Sequence, residues 1–299
     1  MNQLRLEHVI DSHLTVFDGA VALLRYVYRP DTPTLESPKP YLHPLRTRGD
    51  QVVSLFRPHD HVWHKGIAWS LPHLGEENFW GGPTYVHGRF YVQLPNNGEQ
   101  KHRTISDITA GEEALFAHEL EWIAQDGRML VSEHRSIRAV LLDDDAWMLQ
   151  FSTAMTNVSG EAISIGSPTT KGRENAGYGG LFWRGPRSFT GGRLVSATST
   201  GGDELRGGHH EWLGFSGQHD ESGASSTVLI VDHHENPRHP PQWFGRSEDF
   251  ACLNPAPFFS EELDFAADST IRFRYGIGIS DSGAEGAHAL ADRVRVRIT

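Results

Sequence analysis

The amino-acid sequence predicts an all-β protein of sandwich or barrel type, and three observations carry that prediction. Apolar and polar residues alternate over short runs, which is the period of a half-buried strand. The 31 Gly and 16 Pro among 299 residues supply turns at the frequency that many short strands need. Helical periodicity is scarce, with one good candidate close to the C-terminus. Strands at fairly regular spacing with turns between them lead to a sandwich or barrel. A chain of this length can bury a large core. Composition barely shifts along it, so residues 1–299 are expected to form a single β-sandwich domain.

Taken in order, Thr15-Val16-Phe17 leads through Asp18-Gly19 into Ala20–Tyr28, a strand–turn–strand signal. Arg29 to Pro40 carries four prolines and reads as an extended connection. Further strands are expected at Gln51–Phe56, Gly66–Leu71, Arg89–Leu94, Ala114–Ile123, Arg128–Ala139 and Trp147–Asn157. Later ones are expected at Leu194–Thr198, Glu211–Ser216, Ser226–Asp232 and Thr270–Ser280. Gln125-Asp126-Gly127 and Leu142-Asp143-Asp144-Asp145 are turns, so Glu119–Ala124 and Arg128–His134 form a hairpin. Ala284–Arg293 is the helix candidate, with Asp or Ser of Ser280-Asp281-Ser282-Gly283 as its cap.

The net charge of −11 excludes a nucleic-acid partner, because phosphate binding needs clustered Lys and Arg. It also disfavours an anionic membrane surface. The single cysteine, Cys252, excludes an intrachain disulfide and a thiolate metal cluster. No basic stretch followed by an apolar one stands at the N-terminus, and no run approaches a membrane span, so a cytoplasmic location is expected.

Chemistry concentrates in the run Arg57-Pro58-His59-Asp60-His61-Val62-Trp63-His64-Lys65-Gly66. Imidazole titrates near neutrality, so this run suits proton transfer, metal binding or a polar ligand. In an extended segment His59 and His61 share a face and His64 points away. A turn at Pro58–Asp60 brings all three together. Among the 18 His, others recur at His209-His210, His233-His234 and His239. Glu76–Pro83 sets Trp80 beside two glycines, followed by His87; a ring beside glycines suits stacking on a flat ligand face. On a strand, Glu133 and Arg135 share one face and His134 takes the other. A Glu133 buried among aromatics would be a general-base candidate, since desolvation raises a carboxylate pKa.

The segment Thr169–Arg184 places Glu174, Tyr178, Trp183 and Arg184 around a Gly-rich turn, with Phe182 and Arg184 on one strand face. It has neither Walker nor dinucleotide spacing. The proline-stiffened loop Asp232–Phe244 carries Arg238, His239 and Trp243 and could close over a ligand. Each of these segments also has a structural reading, as exposed polar face, aromatic plug or tight turn.

In this ordered set the chain resembles the soluble PmoA-like family, labelled "methane oxygenase PmoA". The matching pieces are Lys39-Pro40-Tyr41-Leu42-His43-Pro44-Leu45, Asp60-His61-Val62-Trp63-His64-Lys65-Gly66, Asn78-Phe79-Trp80 and Glu133-His134-Arg135. Further on come Thr156–Gly160, Gly177–Gly180, Asn236–Pro240 with Trp243, and Phe273–Ile277. Matches span about residues 20–282; Lys65 stands where Arg is common, which keeps the charge but not a bidentate fork.

The resemblance implies a large antiparallel β-sandwich, a supersandwich of galactose-mutarotase-like type, and a carbohydrate-related role. It does not imply methane oxidation, because a membrane monooxygenase subunit needs spanning helices. The expected function is acid–base chemistry on a sugar, or on an oxidised (keto) sugar or glycoside. His61 and His64 would act as acid or ligand groups, and Glu133 or Glu174 as base. Asp60, Lys65, Trp80, His87, Tyr178, Arg184, Arg238, His239 and Trp243 would bind substrate. Two alternatives stand beside it. One is a hydrolase or lyase dependent on a divalent metal, with His61, His64 and His239 as ligands. The other is a non-catalytic carbohydrate-binding module. A small carbohydrate is the expected partner, and homo-oligomers are possible.

Overall fold

A computed structural model describes residues 3–298. Two large antiparallel sheets face each other. The first is ordered Leu4–Val9, His13–Asp18, Val21–Val27, Tyr41–Leu45, Ile67–Ser70, Gly180–Arg184, Cys252–Leu253. The second has nine strands, and its centre is ordered Ser225–Asp232, Thr270–Ser280, Ala146–Asn157, Met129–Leu141, Glu113–Ile123. Its edges are the short Thr200–Gly201 on one side and Glu99–Ala110 on the other. The architecture is the all-β sandwich that alternation predicts.

One apolar core fills the gap between the sheets. Leu14, Leu24, Ile67, Trp69, Leu181 and Trp183 project from the first sheet. Phe116, Trp122, Phe151, Ile230, Tyr275 and Ile277 meet them from the second. Burying an aromatic or aliphatic side chain of this size contributes roughly 1.5–3 kcal/mol, and the alternation in each strand selects which face does so. In Thr270–Ser280, Phe273, Tyr275, Ile277 and Ile279 enter this core. Gly276 and Gly278 lie on the opposite face, where a Cβ would come within 2.5 Å of Val294 and 2.9 Å of Val294 respectively. Their missing side chains let the helix Ala287–Arg295 lie down on the outer face with Leu290, Ala291 and Val294 inward.

The hairpin at Gln125–Gly127 forms as expected: Gly127 has φ +92° and the Asp126 carboxylate accepts the Arg128 backbone N–H at 3.0 Å. The Asp143–Asp145 turn likewise joins two long strands. Three expectations need correction. Gln51–Phe56 is not a strand, because its N–H groups are shared between different partners, Val53 to Leu45 and Leu55 to Arg184, so no ladder builds up. Glu99–Ala110 is a strand of 12 residues that the hydrophobic pattern did not reveal; it is a largely exposed, charged edge, which is how sheets resist edge-to-edge pairing. The helix begins at Ala287 after a 3-10 turn over Ala284–Gly286, and neither Asp281 nor Ser282 caps it. Asp281 accepts the Gly49 N–H at 2.8 Å instead, tying the end of Thr270–Ser280 to the loop after Tyr41–Leu45.

Among the described residues, no helix is long and apolar enough to cross a membrane.

Strand Gly180–Arg184 positions the site. Leu181 and Trp183 enter the main core, while Phe182 joins a separate outer cluster with Trp80, Phe244, Cys252, Ala256 and Phe259. Arg184, two residues on, shares the face of Phe182 as expected, and it is 1% exposed.

Candidate functional site

The His run is a tight loop closed at its base by a bridge between Phe56 and Lys65 and by the Arg57 N–H on the His64 carbonyl at 2.9 Å. Two turns follow within it: His61 N–H to Pro58 C=O and His64 N–H to His61 C=O, each 2.9 Å. They stack the His61 and His64 rings at 4.8 Å between centroids and 19° between planes. Of the two geometries open in the sequence, the turn is the one adopted. His59 is not brought in, and its Nδ1 accepts from Arg187 at 3.1 Å.

Beneath the loop, Lys65 is buried in an ion pair with Glu36, which also receives Arg57. Burial pushes the Glu36 carboxyl up, but the hydrogen bonds from Arg57 and Lys65 outweigh it and hold it below its usual range. Lys65 therefore fastens the loop to the Pro-rich connection, its ammonium taken up by Glu36 where the sequence expectation had it binding substrate. A second buried ammonium, Lys39, donates to the carbonyls of Glu36, Ser37 and Trp80 at 2.8, 3.0 and 2.8 Å. It fixes Trp80 against the same connection.

Trp63 fits over Gly81 and Gly82, whose φ values are +99° and +70°, and a Cβ at either would lie 2.7 or 2.8 Å from Trp63. Glycine is required there both for the backbone and for the indole's approach. Asn78 holds this turn, accepting the N–H groups of Trp80 and Gly81 at 2.9 Å each.

Loop, turn and strand together wall a cavity of about 560 Å³. His61, His64 and Asp60 form one side. Trp63, Trp80, Tyr178, Phe182, Phe244 and Phe250 supply aromatic surface. Arg173, Arg206, Arg246 and Asp249 supply charge. The Tyr178 hydroxyl lies 2.8 Å from that of Tyr91, which also receives Arg173.

The electrostatics divide the two histidines. His64 is 5% exposed, packs on Phe182 at 4.6 Å and crosses Trp80 at 5.8 Å. Its Nδ1 is buried without a hydrogen-bond partner. Burial, reinforced by the positive charge of Arg184, holds its pKa well below 6.5, so it is neutral at pH 7. His61 is half-buried; its Nδ1 lies 3.2 Å from Asp60 Oδ2. Burial lowers its pKa more than the Asp60 carboxylate raises it. Partial desolvation lifts Asp60, but hydrogen bonds from His61 and Arg187 outweigh that and bring it down to about 2. With Nδ1–H donated to Asp60, the basic atom of His61 is Nε2.

Of the residues singled out from the sequence, Asp60, His61, His64, Trp80 and Tyr178 meet at this cavity. Arg184 lies directly behind it, its guanidinium 3.7 Å from the centroid of the Phe250 ring. The others do not converge. Glu133 is wholly buried between the sheets, where Arg135, Trp122 at 2.6 Å and Thr153 at 2.7 Å take its lone pairs. It is a satisfied structural carboxylate, not a base. Glu174 is exposed and does not line the cavity. His87 is exposed against the Gly172 turn.

Arg238 donates to the carbonyls of Pro257, Glu261 and Glu262. His239 pairs with the buried Asp232 at 2.7 Å. Trp243 is in the main core with its indole N–H on the His210 carbonyl at 2.7 Å; its neighbour Phe244 faces the cavity instead. The metal set His61, His64 and His239 is not assembled. Among the described residues, no three His, Cys, Asp or Glu side chains gather to hold a metal ion.

The sequence reading assigned no site role to Trp63 and Arg173, which stand in segments it singled out, nor to Tyr91, Arg206, Arg246, Asp249 and Phe250, which packs beside His61 and His64. The one local signal is Arg246-Ser247-Glu248-Asp249-Phe250, a charged and aromatic run beside the Pro-rich loop.

A kojibiose phosphorylase from the human microbiome, so described, overlays with a TM-score of 0.31 at 11% identity, covering 61% of this chain and 20% of that one. A TPR-domain containing protein from Parabacteroides distasonis overlays at 0.25 and 10% identity, covering 90% of this chain and 47% of that one. This chain thus spans less than half the length of either, and likenesses of this size carry no functional argument. No curated relative matches the sequence. The family model does match, over residues 14–292, nearly the whole chain, and this protein belongs to DUF6807, a family of unknown function.

Proposed function

We propose that this protein acts on a sugar or keto sugar by histidine acid–base chemistry in the cavity walled by His61 and His64. One observation carries the reading: two stacked imidazoles, held uncharged by burial, face an aromatic-walled space of about 560 Å³ with a carboxylate fixed behind one of them. Indole and phenyl faces offer the apolar surface on which a sugar's C–H face stacks. A base works best when its pKa lies near or below the working pH, so that it starts unprotonated.

His61 Nε2 takes a proton from a carbon next to a carbonyl, and Asp60 stabilises the imidazolium that forms. His64, neutral, donates its one N–H to the carbonyl oxygen as negative charge grows there. Arg206 and Arg246, both on the cavity wall, offset that charge. The proton returns from His61 to the former carbonyl carbon while the proton of the adjacent hydroxyl passes to the former carbonyl oxygen, so the carbonyl moves by one carbon and the protein groups end as they began. The sequence resemblance to the PmoA-like family supports the same substrate class.

The test is proton exchange in D2O. Wild-type protein is incubated with aldoses, ketoses and keto-glycosides, and loss of a carbon-bound proton signal is followed by NMR. Exchange is expected with at least one keto sugar. His61→Asn and His64→Gln are expected to slow it by at least ~100-fold while near-ultraviolet circular dichroism is unchanged. Exchange at the wild-type rate in both variants, or by no sugar in the wild type, overturns the proposal. Saturable binding without exchange would instead favour a binding module.

A further inference from the structure

The end of the cavity around Phe250 carries more positive charge than acid–base chemistry on a neutral sugar needs. Arg184 and Arg246 both lie against the Phe250 ring, at 3.7 and 5.0 Å from its centroid. Arg246 and Arg206 share one carboxylate, Asp203, at 3.3 and 3.6 Å. That carboxylate is already engaged by the N–H groups of Ser247 and Glu248 at 2.6 and 3.2 Å. Asp249, the other acid at this end, pairs with Arg246 and is 67% exposed. Asp60 is turned to His61 and Arg187. Three guanidinium groups therefore face one partly buried carboxylate and one solvated one, in a chain whose net charge is −11.

Arg184 is the sharpest anomaly. It is 1% exposed, no carboxylate pairs with it, and its Nε and Nη1 have no hydrogen-bond partner. Its nearest charge-relevant neighbours are the Cys252 thiol, Asp60, Arg187 and Arg246, together with the two site histidines. Buried donors are almost always satisfied, and a buried cation without a partner is strongly disfavoured, so an orphan of this kind points to a missing anion. The Nε of Arg206, on the cavity wall, is orphaned as well. Phe250, which covers Arg184, is only half-buried and sits in a short bend between Glu248 and Ala251.

We infer that the sugar taken by this cavity carries a carboxylate, received by Arg184, Arg206 and Arg246 once Phe250 moves aside. The inference rests on the sugar reading above and narrows it to uronic or aldonic acids. A carboxylate matches the planar fork of a guanidinium.

Titration calorimetry with matched pairs tests it: D-glucose against D-glucuronate, D-galactose against D-galacturonate, and glucose 6-phosphate as the phosphate arm. At least one uronate is expected to bind ~10-fold or more tightly than its neutral parent, a preference of the size one charge-assisted pair provides. The preference is expected to fall below ~3-fold in Arg246→Gln and in Arg184→Gln; Arg246, at the wall, keeps the test open where the buried variant does not fold. Equal binding of neutral and acid overturns the carboxylate inference alone. Tighter binding of the phosphate than of either uronate overturns it too. No binding by any member, neutral or acidic, sinks the sugar reading itself.

Discussion

The imidazole of His64 packs against Phe182 at 4.6 Å, and His61 stacks on its other side with Asp60 behind. These three side chains were legible in the sequence because the loop that joins them is local: ten residues, closed by its own backbone bonds. The carboxylates were not. Glu133 and Glu174 read alike as candidate bases, yet one is sealed among Arg135, Trp122 and Thr153 and the other faces solvent. Opposite outcomes are expected on truncation. Glu174→Ala should leave exchange activity unchanged and shift stability by no more than about 0.5 kcal/mol. Glu133→Ala strands the Arg135 guanidinium in the core and should cost about 3–5 kcal/mol, read from urea denaturation. A Glu174 variant that loses activity while remaining folded would return that residue to the site.

Elements were legible in proportion to how much of them is buried on one face. Thr270–Ser280 and Trp147–Asn157 alternate strongly, and their expected ends are met within one residue. Glu99–Ala110 shows no alternation because neither face of most of its length touches the core. Glycine inside a strand has no side chain to pack and weakens it, yet Gly276 and Gly278 stand in the middle of Thr270–Ser280. They are the seat of the helix Ala287–Arg295, since any Cβ there meets Val294 or Leu290. Gly276→Val is expected to lift the helix and cost about 1–3 kcal/mol by overpacking. The check is hydrogen exchange: protection should fall across 287–295 and stay constant in the loop 57–65. Uniform exchange with unchanged stability would contradict this packing account.

Across the whole molecule, several imidazoles are buried uncharged. Burial lowers His73 to about 4, His102 to about 4 and His43 to about 4, and it holds His118 well below 6.5. In each the folded pKa lies below the unfolded one. Between about pH 6.5 and 4 the unfolded chain takes up protons that the folded chain refuses. Stability is then fully present above pH 6.5 and lost as pH falls. His73 alone contributes on the order of 1–2 kcal/mol of loss at pH 5, and the others act in the same direction. Thermal melts at pH 7.5, 6 and 5 should show a falling Tm; a Tm that is flat or rises on acidification would refute the sign. The buried chain from His102 to His118 at 2.9 Å and on to Tyr26 at 2.9 Å depends on those rings staying neutral.

What the sequence by itself determined is what short-range chemistry controls: the all-β class, the hairpins at Gln125–Gly127 and Asp18–Gly19, and the shared face of Phe182 and Arg184. Periodicity and turn propensity act over a few residues, so they survive without knowledge of partners. Only the tertiary structure decided which charged residues meet. Lys65 went to Glu36, His239 to Asp232 and Arg238 to three carbonyls, while Arg206, 22 residues beyond Arg184, and Arg246 came to the cavity. A charged side chain satisfies itself with whatever the fold places within a few ångströms, and that distance is set by the packing of two sheets rather than by spacing along the chain.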